Sequence, residues 1–312
     1  MKGMNFMAHL ESYDSFQTKR AREQKKRAKE RSSSKEKNVN KGGKFVIKKG
    51  ENYGTVIEVR YNDAYIFYED RIVKAHLRKD INYPCNQVLF PGDKVIVEPD
   101  GEDFVINNMI ARTSLLSRVK KDSTRLDSSV GATKNIAANI NLAVIVVAAK
   151  NPPLHPKFID RYLMVLQNSE IDSIICLNKA DLKGENEEKT LDIYRNIGIP
   201  VIETSTVKKE GIEQLKEYLR GKQAIFVGNS GVGKSSLTNA LMESEEIKTS
   251  HVSEKSGKGR HTTTTSKYYV GDEKSSIIDT PGIRSLDIST FQPQEIQEYF
   301  QEFEAWSCKC KF

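Results

Sequence analysis

Eight consecutive residues, Gly228-Asn229-Ser230-Gly231-Val232-Gly233-Lys234-Ser235, have the types and spacing to hold a polyphosphate. They follow the apolar run 224–227 and precede Ser236-Leu-Thr-Asn-Ala-Leu241, which reads as the first turns of a helix. Strand, glycine-rich loop and helix is the context that a phosphate-binding loop requires. Glycines let the backbone bend so that its N–H groups converge on phosphate oxygens, and the positive end of the helix dipole adds to that field. Backbone contacts are expected from Gly228 through Ser236. Lys234 is expected to reach the outer phosphates, and the Ser235 hydroxyl to hold Mg²⁺.

Two more patterns fit a nucleotide site. Asn178-Lys179-Ala180-Asp181 closes the apolar run 173–177. At the carboxyl end of such a strand, the Asp181 carboxylate can accept both N1–H and the 2-amino group of guanine. Adenine leaves that carboxylate unpaired, a loss that discriminates strongly. Lys179 is expected to pack along base and loop, and Asn178 to tie loops together. Thr204-Ser205-Thr206 closes another strand pattern, at the end of 200–204. Asp279-Thr-Pro-Gly282 follows the strand pattern Ser276-Ile-Ile278. Asp279 suits Mg²⁺ through water, and the Gly282 N–H suits a γ-phosphate. Base recognition thus precedes the phosphate loop in the chain. The common GTPase order is the reverse, so this one is circularly permuted, with Gly221-Lys222 joining the usual last helix to the usual first strand.

The elements that must position these residues alternate. Apolar strand patterns at 141–148, 173–177 and 200–204 are separated by helical patterns at 156–169 and 187–196, and a helix from Gly211 to Leu219 leads into the loop strand. That alternation predicts an α/β fold with a parallel, doubly wound sheet. In the first helix, Phe158, Ile159, Tyr162, Leu163 and Leu166 share one side. Residues 113–138 read as a polar connector. Before them, 43–112 show short alternating runs at 45–47, 55–59, 64–68, 71–75, 94–97 and 104–106, with turn residues between. Many short strands in so few residues predict a small closed barrel of the oligonucleotide-binding type. Tyr53, Tyr61, Tyr65, Phe67 and Tyr68 are interleaved with Arg60, Arg71, Lys74 and Arg78, a mixture suited to stacking on bases and meeting phosphates. The expected division is a basic disordered arm 1–42, a barrel 43–112, a permuted GTPase unit 113–288 and a helical C-terminal segment 289–312.

Charge and cysteine content narrow the class. Residues 1–50 hold 15 Lys/Arg against 5 Asp/Glu, a net +10, while the whole chain of 312 residues is +7. The rest is therefore slightly acidic, and the basicity belongs to a tail that suits a polyanion such as nucleic acid. No apolar run approaches membrane-spanning length and no signal-type stretch opens the chain, so a soluble, cytoplasmic protein without a membrane partner is expected. Cys85, Cys176, Cys308 and Cys310 form no disulfide framework, which fits a reducing compartment.

The permuted order resembles the small-ribosomal-subunit-dependent GTPase A family, known as YjeQ or RsgA. The three nucleotide patterns carry the resemblance, together with Gly259-Arg-His-Thr-Thr-Thr264, Ala138-Asn-Ile140 and the preceding barrel, over about residues 43–310. It implies GTP hydrolysis coupled to late maturation of the small (30S) ribosomal subunit, with rRNA contact; GTP/GDP and Mg²⁺ are the expected ligands, and a monomer is expected. It also implies a Cys/His zinc domain. Here Cys308-Lys-Cys310-Lys-Phe312 supplies two cysteines and no following His, so Cys310 is a candidate ligand of a remnant site that these residues alone cannot close. The family's usual Asp after Ala-Asn-Ile is replaced by Asn141, and the fifth GTPase motif, often Ser-Ala, appears as Thr204-Ser205-Thr206, where the resemblance implies a contact of Ser205 near the guanine O6.

Expected roles follow. Lys234 and the loop amides hold the phosphates, while Ser235, Thr263 and Asp279 organise Mg²⁺. The residue after Gly282 is Ile283, which cannot orient water, so unaided turnover should be slow. His261 is the candidate catalytic group, brought in when the ribosomal subunit orders its loop. Permutation also suggests that losing the γ-phosphate moves both flanking parts; equal affinity of GTP and GDP forms for the subunit would contradict that. Two other readings remain: an RNA-binding assembly factor whose nucleotide site is structural, and a permuted GTPase of the large subunit.

Overall fold

The computed structural model describes residues 53–60, 63–77, 88–119, 133–243, 267–270, 275–279, 291, 296, 299 and 300. Five strands come first: β1 Gly54–Arg60, β2 Asp63–Tyr68, β3 Arg71–Leu77, β4 Lys94–Asp100 and β5 Asp103–Met109. They close into a barrel in the order β1-β2-β3-β5-β4, antiparallel throughout except where β3 meets β5. Alternation puts Val56, Ile66, Val73, Val95, Val97 and Ile106 inside. Glu69 and Asp70 both take positive φ in the two-residue turn between β2 and β3. Such turns match the twist of the strands they join.

An antiparallel pair, β6 Leu115–Val119 with β7 Thr133–Ala138, leads to the α/β unit. The expected polar connector is therefore partly strand. Its two short apolar patches are buried at Leu116 and at Ala137 and Ala138, and the polar residues around them hide the pattern.

The α/β unit runs β8 Leu142–Ala148, α1 Pro156–Asn168, β9 Asp172–Asn178, a 3₁₀ turn Ala180–Leu182, α2 Glu185–Asn196, β10 Val201–Glu203, α3 Ile212–Leu219, β11 Gln223–Val227, α4 Lys234–Glu243, β12 Lys267–Val270 and β13 Ser276–Asp279. The sheet order is β10-β9-β8-β11-β13-β12, parallel except for β12 at one edge. Every residue of β8 is buried, as a strand covered on both faces must be. Ala143, Ile145 and Val147 join a core with Ile159, Tyr162 and Leu166 of α1 and Leu191 and Tyr194 of α2. Leu142, Val144 and Val146 face α3 and α4 through Leu215, Tyr218, Leu237 and Leu241. Helix α1 presents the side that its spacing predicts. Helix α2 begins two residues earlier than its apolar pattern indicates, because the Glu187 carboxylate accepts the Gly184 N–H at 2.8 Å and closes the first turn.

The barrel is joined to this unit by apolar surface. Val56 fills the barrel, whereas its neighbour Ile57 is buried in the α1–α2 core, and Phe67 and Ile72 pack against the same core. Phe67, expected among candidate stacking rings, thus faces protein. Edge strand β12, which the sequence reading lacks, contributes Tyr268 to that core. Polar bonds complete the joint: Ala138 N–H donates to Pro91 O at 2.9 Å, Asn139 Nδ2 to Gly92 O at 2.9 Å, and Gln223 Nε2 to Ala138 O at 2.9 Å. The fully buried Asp93 carboxylate is gripped by Arg112 through Nε at 2.6 Å and Nη2 at 2.7 Å. The candidate strand 45–47 and the arm 1–42 lie outside the described residues. From the C-terminal segment, Phe291 packs on the α1–α2 core and Tyr299 donates to Asn168 Oδ1 at 2.7 Å.

Candidate functional site

Parallel register brings distant residues to one edge of the sheet. Ala148 pairs with Asn178, Val227 with Ile145, and Ile225 with Ile278, so β8, β9, β11 and β13 all end on the same side. Strand order reverses at β8, since β9 is added on one side of it and β11 on the other, and a crevice at such a point is where open α/β sheets bind ligands.

The loop from Gly228 to Gly233 leaves β11 at this edge and delivers the chain into α4 at Lys234. Ser230, Gly231, Ser235 and Ser236 are exposed, while Val232 is buried and anchors the loop from below. Two glycines are required by close approach. A Cβ on Gly228 would lie 2.3 Å from Val146 O, and one on Gly233, at φ +93°, would lie 2.3 Å from Asn178 Nδ2. Lys234 Nζ donates to Gly228 O at 2.7 Å and Asn229 O at 2.9 Å, so its ammonium spans the loop.

Asn178, buried at the tip of β9, donates from Nδ2 to Val232 O at 2.9 Å. Lys179 takes a left-handed conformation, φ 56° and ψ 39°, and extends Nζ to Gly231 O at 2.9 Å and to Asn151 O. These bonds stitch the Asn-Lys-x-Asp segment to the phosphate loop across more than fifty residues of sequence. Asp181 sits half-buried in the 3₁₀ turn and accepts the Ser205 hydroxyl at 2.6 Å. Ser205 is held in turn by a two-way backbone bridge with Glu210 and by the Lys208 N–H, which reaches its Oγ at 3.1 Å. Asn178, Lys179, Asp181 and Ser205, the residues expected to meet guanine, are therefore tied into one cluster with the loop from Gly228.

Asp279 ends β13 beside β11, and its backbone stands on the same edge. His261, Thr263, Gly282 and Cys310 lie outside the described residues. Among the described residues, no group of His, Cys, Asp and Glu has the arrangement of a metal cluster. Burial pushes the Cys176 thiol up to about 12 against the opposing bond from Thr204, so it is a neutral core residue, as its apolar surroundings predict. The sequence gives no sign of Asn151, whose carbonyl receives Lys179, nor of Lys183, Arg195 and Glu203, which lie behind the base loops.

The RsgA GTPase family model matches residues 109–289. The small ribosomal subunit biogenesis GTPase RsgA of Thermotoga petrophila is 36% identical over 228 residues, covering 72% of each chain. RsgA of Ectopseudomonas mendocina is 36% identical over 247 residues, 78% of this chain and 68% of that one. Among solved structures, YjeQ from Thermotoga maritima aligns with a TM-score of 0.61 at 29% identity, covering 81% of this chain and 82% of the other. The structure of YloQ, a circularly permuted GTPase, shares the fold with a TM-score of 0.59 at 23% identity, covering 86% and 85%.

Proposed function

Since the chain belongs to the RsgA GTPase family and is a GTP-hydrolysing enzyme, we propose that it acts as a GTP-driven switch in biogenesis of the small ribosomal subunit, with that subunit and its rRNA as partners. The observation that carries the nucleotide reading is the pair of bonds from Asn178 and Lys179 to the carbonyls of Val232 and Gly231. They tie the Asn-Lys-x-Asp segment to the glycine-rich loop, despite their inverted order in the chain, which supports a shared nucleotide site. The relatives named for small-subunit biogenesis support the partner.

In this reading the N–H groups from Gly228 to Ser236 donate to phosphate oxygens, and Lys234 exchanges its loop carbonyls for the outer phosphates. Asp181 receives the guanine N1–H and 2-amino group, with Ser205 turning the carboxylate. The hydroxyl of Ser235 on the exposed first turn of α4 and the carboxylate residue ending β13 are hard oxygen donors that suit Mg²⁺, with Thr263 as a further donor. When bound, Mg²⁺ neutralises charge developing on the β- and γ-phosphate oxygens. His261 is the group proposed to complete hydrolysis once the subunit orders its loop.

The proposed division keeps an arm 1–42, a barrel 43–112, the GTPase unit 113–288 and a C-terminal segment 289–312. A cytoplasmic monomer is proposed; among the described residues no helix is long and apolar enough to cross a membrane. The test is GTP turnover measured alone, with purified small subunits and with purified large subunits. Stimulation by the small subunit only is expected. Stimulation by the large subunit alone would sink the assignment.

A further inference from the structure

A ring of four charges lies behind the base-side loops. Glu203, the last residue of β10, accepts Arg195 Nη2 at 2.6 Å on Oε1 and Lys183 Nζ at 2.6 Å on Oε2. Glu188 of α2 accepts Arg195 Nη1 at 2.7 Å on Oε1 and Lys183 Nζ on Oε2. Each carboxylate bridges the same two cations, so the ring is closed and neutral. Burial disfavours the charge on Lys183 and on Arg195, yet their carboxylate partners outweigh it and raise both pKa values. The bond from Lys183, reinforced by Arg195, holds the Glu188 carboxyl below its ordinary range despite partial burial.

Helix stability alone does not account for this arrangement. Glu188, Asp192 and Arg195 share α2, and Asp192 already meets Arg195 Nη1 at 2.7 Å. Lys183 and Glu203 come from outside the helix, and their positions are specific. Lys183 stands two residues after Asp181, and Glu203 two residues before Ser205. The backbone between ring and tips has little slack. Lys183 N–H bonds Ala180 O at 3.1 Å, Ala180 N–H bonds Thr204 O at 3.0 Å, and Thr204 N–H bonds Leu177 O at 2.8 Å. The ring therefore joins the roots of two loops whose tips meet in the Ser205–Asp181 hydrogen bond.

We propose that the Lys183–Glu203 ion pair is a positioning element for guanine selectivity, fixing the two loops so that Ser205 keeps the Asp181 carboxylate turned toward the base edge. The inference rests on the assignment of Asp181 to guanine. Neither residue is assigned a nucleotide contact; Lys183 acts through Asp181, two residues before it, and Glu203 through Ser205, two residues after it, whose hydroxyl bonds the Asp181 carboxylate.

Inosine diphosphate lacks the 2-amino group that Asp181 receives, so the ratio of its Kd to that of GDP reads the carboxylate's placement. A loss of folded protein weakens both ligands equally and leaves the ratio alone. Glu203→Gln and Lys183→Met are each expected to lower the ratio roughly fivefold, the scale of one partly exposed ion pair in a network. Lys183→Arg, which keeps charge and reach, is expected to retain it. Asp181→Asn serves as the reference and should collapse the ratio. An unchanged ratio in Glu203→Gln and Lys183→Met beside a collapsed one in Asp181→Asn overturns the inference and leaves the base assignment standing. An equal fall in Lys183→Arg also overturns it, since charge is then not the cause. A ratio unmoved by Asp181→Asn removes the base assignment and the inference together.

Discussion

Replacing Gly233 by Ala should damage nucleotide binding far more than the same change at Gly231. Both glycines have positive φ, +83° at Gly231 and +93° at Gly233, so each alanine carries backbone strain of roughly 1–2 kcal/mol. Their surroundings differ. A Cβ on Gly231 meets nothing closer than Pro152 Cδ at 3.6 Å, an ordinary contact. A Cβ on Gly233 lies 2.3 Å from Asn178 Nδ2, and that amide is buried and bonded to Val232 O. Moving it aside breaks the bond and strands a buried carbonyl, a further cost of about 1–3 kcal/mol. The loop can relax when empty, so the cost falls on affinity more than on folding. Gly231→Ala should weaken GDP binding roughly tenfold and Gly233→Ala on the order of 10²–10³-fold. Titration with a fluorescent GDP analogue measures both, with thermal unfolding as the control for folding. In an Asn178→Ala background, where the clash is gone, the two glycine changes should cost about the same. Equal losses in the unaltered background would refute the reasoning.

Two further outcomes are expected. His76 Nδ1 bonds Asp63 at 2.7 Å and its Nε2 bonds Asp103 at 2.8 Å, so these carboxylates raise its pKa, Asp63 most, against desolvation and, less, Lys74. A raised folded-state value means that this stabilisation is complete below the ordinary histidine pKa and is lost as pH rises through the raised one. Melting temperature should therefore fall across that interval, and His76→Gln should flatten the fall; an identical slope would remove His76 as its source. His261→Ala should keep GTP affinity while losing stimulation by small subunits, which for a completed site is on the order of 10³–10⁵-fold. Unchanged stimulation would take His261 out of the mechanism.

Legibility differed by element for physical reasons. Strand β8 is readable because both faces are buried, which leaves seven consecutive apolar residues in the sequence. The Asn-Lys-x-Asp segment and the phosphate loop are readable because their chemistry dictates residue type at fixed spacing. Strand β12 is four residues long and lies among polar neighbours, so local pattern cannot reveal it. The pair β6–β7 depends on contact between segments well separated in the chain, as does the Arg112 grip on Asp93. Lys183 and Glu203 read as ordinary surface charges; only folding shows that they are neighbours. Phe67 illustrates the converse, since its composition is right for stacking on a base while its place is an internal seam.

That seam has a consequence for any attempt to dissect the molecule. Ile57, Phe67 and Ile72 from the barrel, together with Tyr268 from β12, form one oily patch with the α/β unit. Excising the barrel would leave that patch bare on the excised GTPase body, a wound prone to self-association. Activity lost on such a truncation is therefore no measure of what the barrel recognises, and point changes on its outward faces are the cleaner instrument.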